Sequence, residues 1–410
     1  MPVLATLRGR VLAPDPGERR LTLWPDALIR IDEAGRIIEF GLAPSDCSIA
    51  ETWPGAVILP GFVDTHLHYP QTRVLGSASG PLLTWLERSV FPEEARFADH
   101  EYAAEVAEEF CAALIGQGTT CAAIYGSCHP SATDTLFAAL AGRGLRALCG
   151  PALMDRAGPP EVLLDADAAL AGLAMLHERW HGHDRDRLRL SVVPRFAISD
   201  TPALMRRAGE FADRHGLLVQ THVAENLDEI ALTRELFPTS RDYLGVYEDH
   251  GLVSARTILA HCIHFGADEW ARARAHDVAI AHCPDSNFFL ASGCMPLRAA
   301  LVRGLRVGLG TDVGAGRTFS LRRVAAAAYD ASRVRGEPVE PETLLWLATR
   351  GGACVLGEAD RLGCVAPGFD ADLIAIDVPE RELAGTIDAL LFRHDAGPVR
   401  ATLVRGRVLS

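Results

Sequence analysis

AVILPGFVDTHLH, residues 56–68, decides how the rest of the chain is read. An apolar run closed by turn residues marks a strand buried on both faces, as in a parallel sheet. Alternate side chains along a strand share a face, so His66 and His68 point the same way at its C-terminal end. Two imidazoles on one rigid element at the edge of an apolar core invite a metal. Neutral imidazole suits Zn²⁺, and a catalytic zinc keeps a position open for water.

Counting outward from AVILPGFVDTH (56–66), seven more candidate strands follow: TTCAAIYG (119–126), LRALCGPAL (145–153), LRLSVVPRF (188–196), LLVQTHVA (217–224), RTILAHC (256–262), VAIAHCPDS (278–286) and LRVGLGTDV (305–313). Between them lie stretches of helical period such as EYAAEVAEEFCAALIGQG and TPALMRRAGEFADRHG, each with Gly at the expected stop. Eight strands alternating with helices predict an α/β fold, a (β/α)₈ barrel. Alternating runs near both ends of the chain, LATLRGRVLA, ALIRIDEAGRIIEFG, DADLIAIDV and VRATLVRGRVLS, predict further strands outside it.

The strand ends carry the chemistry. His222 in VQTHVAEN, His261 in ILAHC and Asp312 in LGTD recur where a barrel brings distant residues to one rim. Any one of them alone reads as a satisfied core residue; together with His66 and His68 they predict a metal site. The chain carries its own control in His181-Gly182-His183, whose polar loop surroundings predict a solvated surface pair. His264, His276 and His282 are expected on a helix surface or behind the site. Glu225, three residues past His222, is placed to relay a proton at a metal site, its bland alternative being a first-turn helix acid. Asp64 is expected to fix the tautomer of a ligand histidine from behind.

Composition narrows the functional class. The 410 residues are 49% hydrophobic and 23% charged, with a formal charge of −13, which disfavours nucleic acid and anionic membrane as partners and favours a small-molecule substrate. The N-terminal residues show no basic-then-apolar segment, and no apolar run has membrane length, so the expectation is cytoplasmic. Ten cysteines without a CxxC pair or regular spacing read as reduced thiols, with Cys262 and Cys283 packed rather than metal-bound.

The blocks GFVDTHLHYPQ (61–71), PLLTWLERSVFPEEARFAD (81–99), VVPRF (192–196), THVAENLDE (221–229), AHCPDSN (281–287) and GLGTDVGAG (308–316), in this order, resemble the guanine deaminases among the mononuclear zinc deaminases of the amidohydrolase superfamily. DTHxH, HCPxSN and GTD occur widely in that superfamily; the TWLERxxFPEEARFAD segment is far more specific. The resemblance implies one zinc per subunit bound by His66, His68, His222, His261 and Asp312, with Glu225 as proton shuttle. It implies catalytic roles for Glu225, Asp312 and His261. Gln71, Arg195 and Phe196, with His222, Glu225 and Asp312, are the implied substrate contacts. Gln can pair with a purine edge, Arg can donate to the ring carbonyl, and Phe can stack on the base. The implied reaction converts guanine to xanthine and ammonia in purine catabolism or salvage. The resemblance also implies a homodimer, and a small β-sandwich (1–59 and 366–410) capping the catalytic barrel (60–365).

Two alternatives remain open on sequence, and two more are disfavoured. A related deaminase acting on a pterin, 8-oxoguanine or a triazine shares the scaffold and differs near Gln71 and Arg195. A non-catalytic scaffold would be expected to lose ligands, which this chain keeps. The common binuclear hydrolase bridges its metals with a carboxylated Lys, and this sequence has none; a nucleic-acid cytidine-type deaminase would carry HxE and PCxxC.

Overall fold

A computed structural model describes residues 3–45, 51–393 and 396–410. Its strands fall into two sheets. β5 (Phe62–His68), β6 (Thr119–Gly126), β7 (Arg146–Leu153), β8 (Leu188–Pro194), β9 (Leu218–Val223), β10 (Thr257–His261), β11 (Ala279–His282) and β12 (Arg306–Leu309) follow one another in chain order. All seven neighbouring pairs are parallel. Every residue of β5, β6 and β7 is buried, as expected where helices cover one face and a filled interior the other. These are the eight strands read from the sequence, and they form the expected (β/α)₈ barrel.

The ring closes between its first and last strands through backbone. Asp312 N–H donates to the His66 carbonyl and His68 N–H to the Val313 carbonyl, both at 2.8 Å. Asp64 reinforces this seam. Its carboxylate accepts Thr311 N–H (3.0 Å), the Thr311 hydroxyl (2.5 Å) and His66 N–H (3.2 Å).

The second sheet draws on both ends of the chain: β1 (Val3–Pro14), β2 (Leu21–Asp32), β3 (Ile37–Leu42) and β4 (Glu51–Pro60) join β13 (Leu373–Asp377), β14 (Val399–Val404) and β15 (Arg407–Val408) in the order β15-β14-β13-β4-β1-β2-β3. One expectation changes here. The run AVILPGFVDTH is two strands in two sheets, parted at Pro60-Gly61. Proline has no N–H for a ladder, and a Cβ on Gly61 would lie 2.1 Å from Thr120 Oγ1, so only glycine lets β5 start against β6.

The helix Pro202–His215 shows the local logic of the outer layer. Thr201 caps its start by accepting Leu204 N–H, and Gly216, at φ 65°, ends it. Beneath the barrel, buried Arg146 donates to Asp372 (3.0 Å) and Asp370 (2.7 Å), tying β7 to the loop that enters β13. The nine described cysteines are free, with Cys262 and Cys283 fully buried as expected; Cys47 lies outside the described residues. Among the described residues no helix is long and apolar enough to cross a membrane.

Candidate metal centre and substrate cavity

His66 and His68 lie two apart on β5, His222 near the end of β9, His261 at the last position of β10, and Asp312 just past β12. Three turns aim the later groups inward. Ala224 (φ 49°), His261 (φ 71°) and Asp312 (φ 50°) adopt left-handed backbone that is costly for residues with a Cβ, and such strain collects at functional sites.

These strand ends converge. His68 Nε2 lies 3.3 Å from His66 Nε2 and 3.2 Å from His222 Nε2, while Asp312 Oδ1 lies 3.3 Å from His66 Nε2 and 3.4 Å from His68 Nε2. His261 Nε2 stands 3.8 Å from Asp312 Oδ2 and 3.5 Å from Glu225 Oε2. Ligand atoms of His66, His222, His261 and Asp312 all fall within 4.8 Å of one another.

The hydrogen bonds set the tautomers. His222 Nδ1–H donates to the Arg195 carbonyl (2.6 Å), and His261 Nδ1 meets Asn287 Oδ1 at 2.9 Å. Both Nε2 lone pairs therefore face the cluster. His261 Nε2 is buried without a hydrogen-bond partner. Burial and the neighbouring imidazoles hold His222 well below the usual histidine pKa, and burial lowers His66 to about 4, so these rings are neutral donors. Burial opposes ionisation of Asp312, but the imidazoles of His66, His68 and His261 beside it outweigh this and keep the carboxyl well below its ordinary value. Nitrogens that share a zinc at bonds of about 2.0–2.1 Å sit about this far apart. Neutral imidazoles, an ionised carboxylate and an orphaned inward nitrogen fit a metal ion.

Tyr125, at the end of β6, packs its ring against His66, His68 and His222, with centroids 4.7, 4.6 and 4.8 Å away. Glu225 follows Ala224, and its Oε1 accepts the Ser292 hydroxyl at 3.1 Å. Burial pushes its carboxyl up to about 7. Glu229 fixes the backbone here, accepting N–H of Glu225 (2.9 Å) and Asn226 (3.0 Å).

A small cavity opens on this cluster, with Leu82, Trp85, Phe196 and Leu290 among its apolar walls. Gln71 and Arg195 reach it from opposite elements and are joined by a residue the sequence reading left unassigned. Glu94 Oε1 accepts Gln71 Nε2–H at 3.0 Å, and its Oε2 accepts Arg195 Nη1–H at 2.6 Å. Gln71 Oε1 accepts Gly314 N–H at 3.1 Å, so the amide is held at both ends.

All expected site residues therefore meet in one place. Other expectations need correction. Asp64 touches no imidazole; it clamps Thr311, whose position beside the last strand only the closed ring reveals, and the Arg195 carbonyl and Asn287 orient histidines instead. Of the two positions expected for His282 it takes the one behind the site: it ends β11, is buried with neither ring nitrogen bonded, and stands outside the converging group. His181 and His183 are exposed, as expected, and His276 pairs with Glu248 at the surface. His264 donates to or accepts from no ligand residue; its Nε2–H meets the Ser292 carbonyl at 2.9 Å.

This barrel, with strand-end histidines and an aspartate around one buried point, is the frame of a metal-dependent hydrolase. Residues 57–409 match the model of the Amidohydrolase family, and the chain belongs to that family. It is 38% identical over 324 residues to the guanine deaminase of Escherichia coli (strain K12), covering 79% of this chain and 73% of that protein. It is 39% identical over 390 residues to a probable guanine deaminase of Deinococcus radiodurans, covering 91% and 87%. Its fold superimposes with a TM-score of 0.92, at 28% identity and over 99% of this chain and 100% of the other, on a crystal structure of guanine deaminase from C. acetobutylicum with bound guanine in the active site.

Proposed function

We propose that the protein hydrolyses guanine to xanthine and ammonia, with one zinc ion per subunit held by His66, His68, His222, His261 and Asp312. The observation that carries this reading is the junction of two arrangements in one cavity: the converging donor set and the Glu94-held pair of Gln71 and Arg195 facing it. Zinc at such a site lowers the pKa of water to about 7, which makes the nucleophile available at neutral pH.

The chain's own groups orient the base and move protons. Arg195, fixed by Glu94, donates to O6 of guanine, Gln71 pairs with the adjacent N1–H edge, and Phe196 packs on the ring. The amino-bearing C2 then faces His222, Asp312 and Glu225. N1 already carries hydrogen, so N3 is the ring nitrogen that takes a proton when water adds at C2. Glu225, whose carboxyl is pushed up to about 7, takes one proton from the incoming water and gives it to N3; the second water proton, handed on from Asp312, goes to the departing amine. Asp312 accepts that second proton of the attacking water, and His261 orients the water. The balance is guanine plus water to xanthine plus ammonia.

Residues 60–365 act as the catalytic domain and residues 1–59 and 366–410 as the small β-sandwich domain. The protein works as a cytoplasmic homodimer in purine catabolism or salvage; its free cysteines support the compartment and its resemblance to guanine deaminases the assembly. The test is ammonia release by zinc-loaded protein on guanine, 8-oxoguanine, adenine, cytosine, pterin and melamine, with the purine product identified. Guanine preferred, with xanthine formed, is the expected result. Preference for another heterocycle would overturn the substrate, and silence on all six would overturn the activity.

A further inference from the structure

Among the described residues, three side chains lining the cavity carry a buried nitrogen with no hydrogen-bond partner: His261 Nε2, Arg195 Nη2 and Trp85 Nε1. The first faces the donor set and the second belongs to the group proposed for O6. The third has no role in the reaction as derived above. Trp85 ends the short helix Leu82–Trp85 and leads into the π-helical turn Leu86–Val90, a distortion frequent at functional sites. Its ring sits in the apolar cluster with Leu86, Phe91 and Phe196, so the ring is well placed and only the N–H lacks a counterpart. Indole N–H is a donor and never an acceptor, and a buried donor is costly to leave unmade.

We propose that Trp85 is a specificity-determining residue whose indole N–H donates to N7 of the purine, an assignment that rests on the deamination reading above. Neutral guanine has three ring-edge acceptors: O6, N3 and N7. Arg195 takes O6 and Glu225 serves N3 beside the reacting carbon. N7 belongs to the five-membered ring, away from C2, and is the acceptor left for a donor on the apolar wall. The site thus recognises a purine rather than any ring that shares the C2 edge, because a pyrimidine such as isocytosine offers no acceptor there. Sites built to hydrogen-bond a substrate reject analogues that lack the partner, since their own buried group is then stranded.

Replacing N7 by C–H, as in 7-deazaguanine, isolates this contact without changing the protein. The wild-type, zinc-loaded enzyme is expected to use 7-deazaguanine with kcat/KM lower than for guanine by roughly tenfold, chiefly through KM, the size of one stranded buried donor. Trp85→Phe is expected to lower kcat/KM for guanine by about the same factor and to leave 7-deazaguanine unchanged, so that the two bases become equivalent. Equal use of both bases by the wild-type enzyme would overturn the assignment, as would a Trp85→Phe loss that is the same for both, the mark of packing alone. The wild-type comparison stands even if the variant folds poorly. No turnover of guanine by the wild-type enzyme would remove the deamination reading, and this assignment with it.

Discussion

Replacing Glu225 by Gln separates proton transfer from metal binding in one atom. The carboxamide keeps the shape and the oxygen that accepts the Ser292 hydroxyl, so the loop and cavity are retained. What is lost is a proton carrier. A positioned acid or base contributes about 10²- to 10⁴-fold, or about 2.7 to 5.4 kcal/mol at 1.36 kcal/mol per decade. The surroundings place this site at the upper end. The other carboxylate lining the cavity, Asp312, already takes its own proton from the water, and Glu229 is committed to Glu225 N–H, Asn226 N–H and the Tyr243 hydroxyl. No neighbour can substitute, so kcat on guanine should fall by about 10⁴-fold with KM changed little. Steady-state ammonia release together with zinc content measures both sides. A Glu225→Gln enzyme that keeps kcat within tenfold of wild type, or that comes off the column without its zinc, would refute the reasoning.

Other substitutions probe the remaining parts. Asp312→Ala should drop turnover by at least about 10³-fold and, unlike Glu225→Gln, lower zinc content after gel filtration, because His66 and His68 lose the carboxylate they face. Glu94→Gln should raise KM for guanine by about 10- to 100-fold with zinc retained, since it unpairs the buried Arg195 and frees Gln71; an unchanged KM would remove Glu94 from recognition. Arg146→Met should destabilise the fold by about 3 kcal/mol, the lower end for breaking a buried pair, because Arg405 still lies 3.5 Å from Asp370. Thermal unfolding checks this, and adding Asp370→Asn and Asp372→Asn should recover most of the loss.

The barrel was legible because each of its strands is a short apolar run between turn residues, and the donor set because each donor sits at or just past the end of one. Trp85 and Glu94 were not, although they stand in the most distinctive stretch of the sequence. That stretch crosses the mouth of the barrel as short irregular helical turns, and no periodicity says which of its side chains reach inward. Asp64 was misread for a related reason. It shares a strand face with His66 and His68, which points toward the histidines, but its partner Thr311 is 247 residues away in sequence. The split at Pro60-Gly61 is marked by a turn dipeptide inside an otherwise apolar run, but the need for glycine there comes from the Thr120 side chain of the next strand, which the run itself does not show.

The small sheet has a consequence for the chain during its synthesis. β4 emerges early, yet its neighbour β13 spans residues 373–377 and is translated only after the whole barrel. Until then one edge of β4 is open, and the nascent protein carries unpaired strand backbone that can template pairing with other chains. A ribosome that stops short of residue 373 would release a chain with all its metal-facing residues but with that edge bare, a product marked for aggregation or degradation. Completion of the last strands therefore closes an edge that fragments already containing the chemistry would leave open.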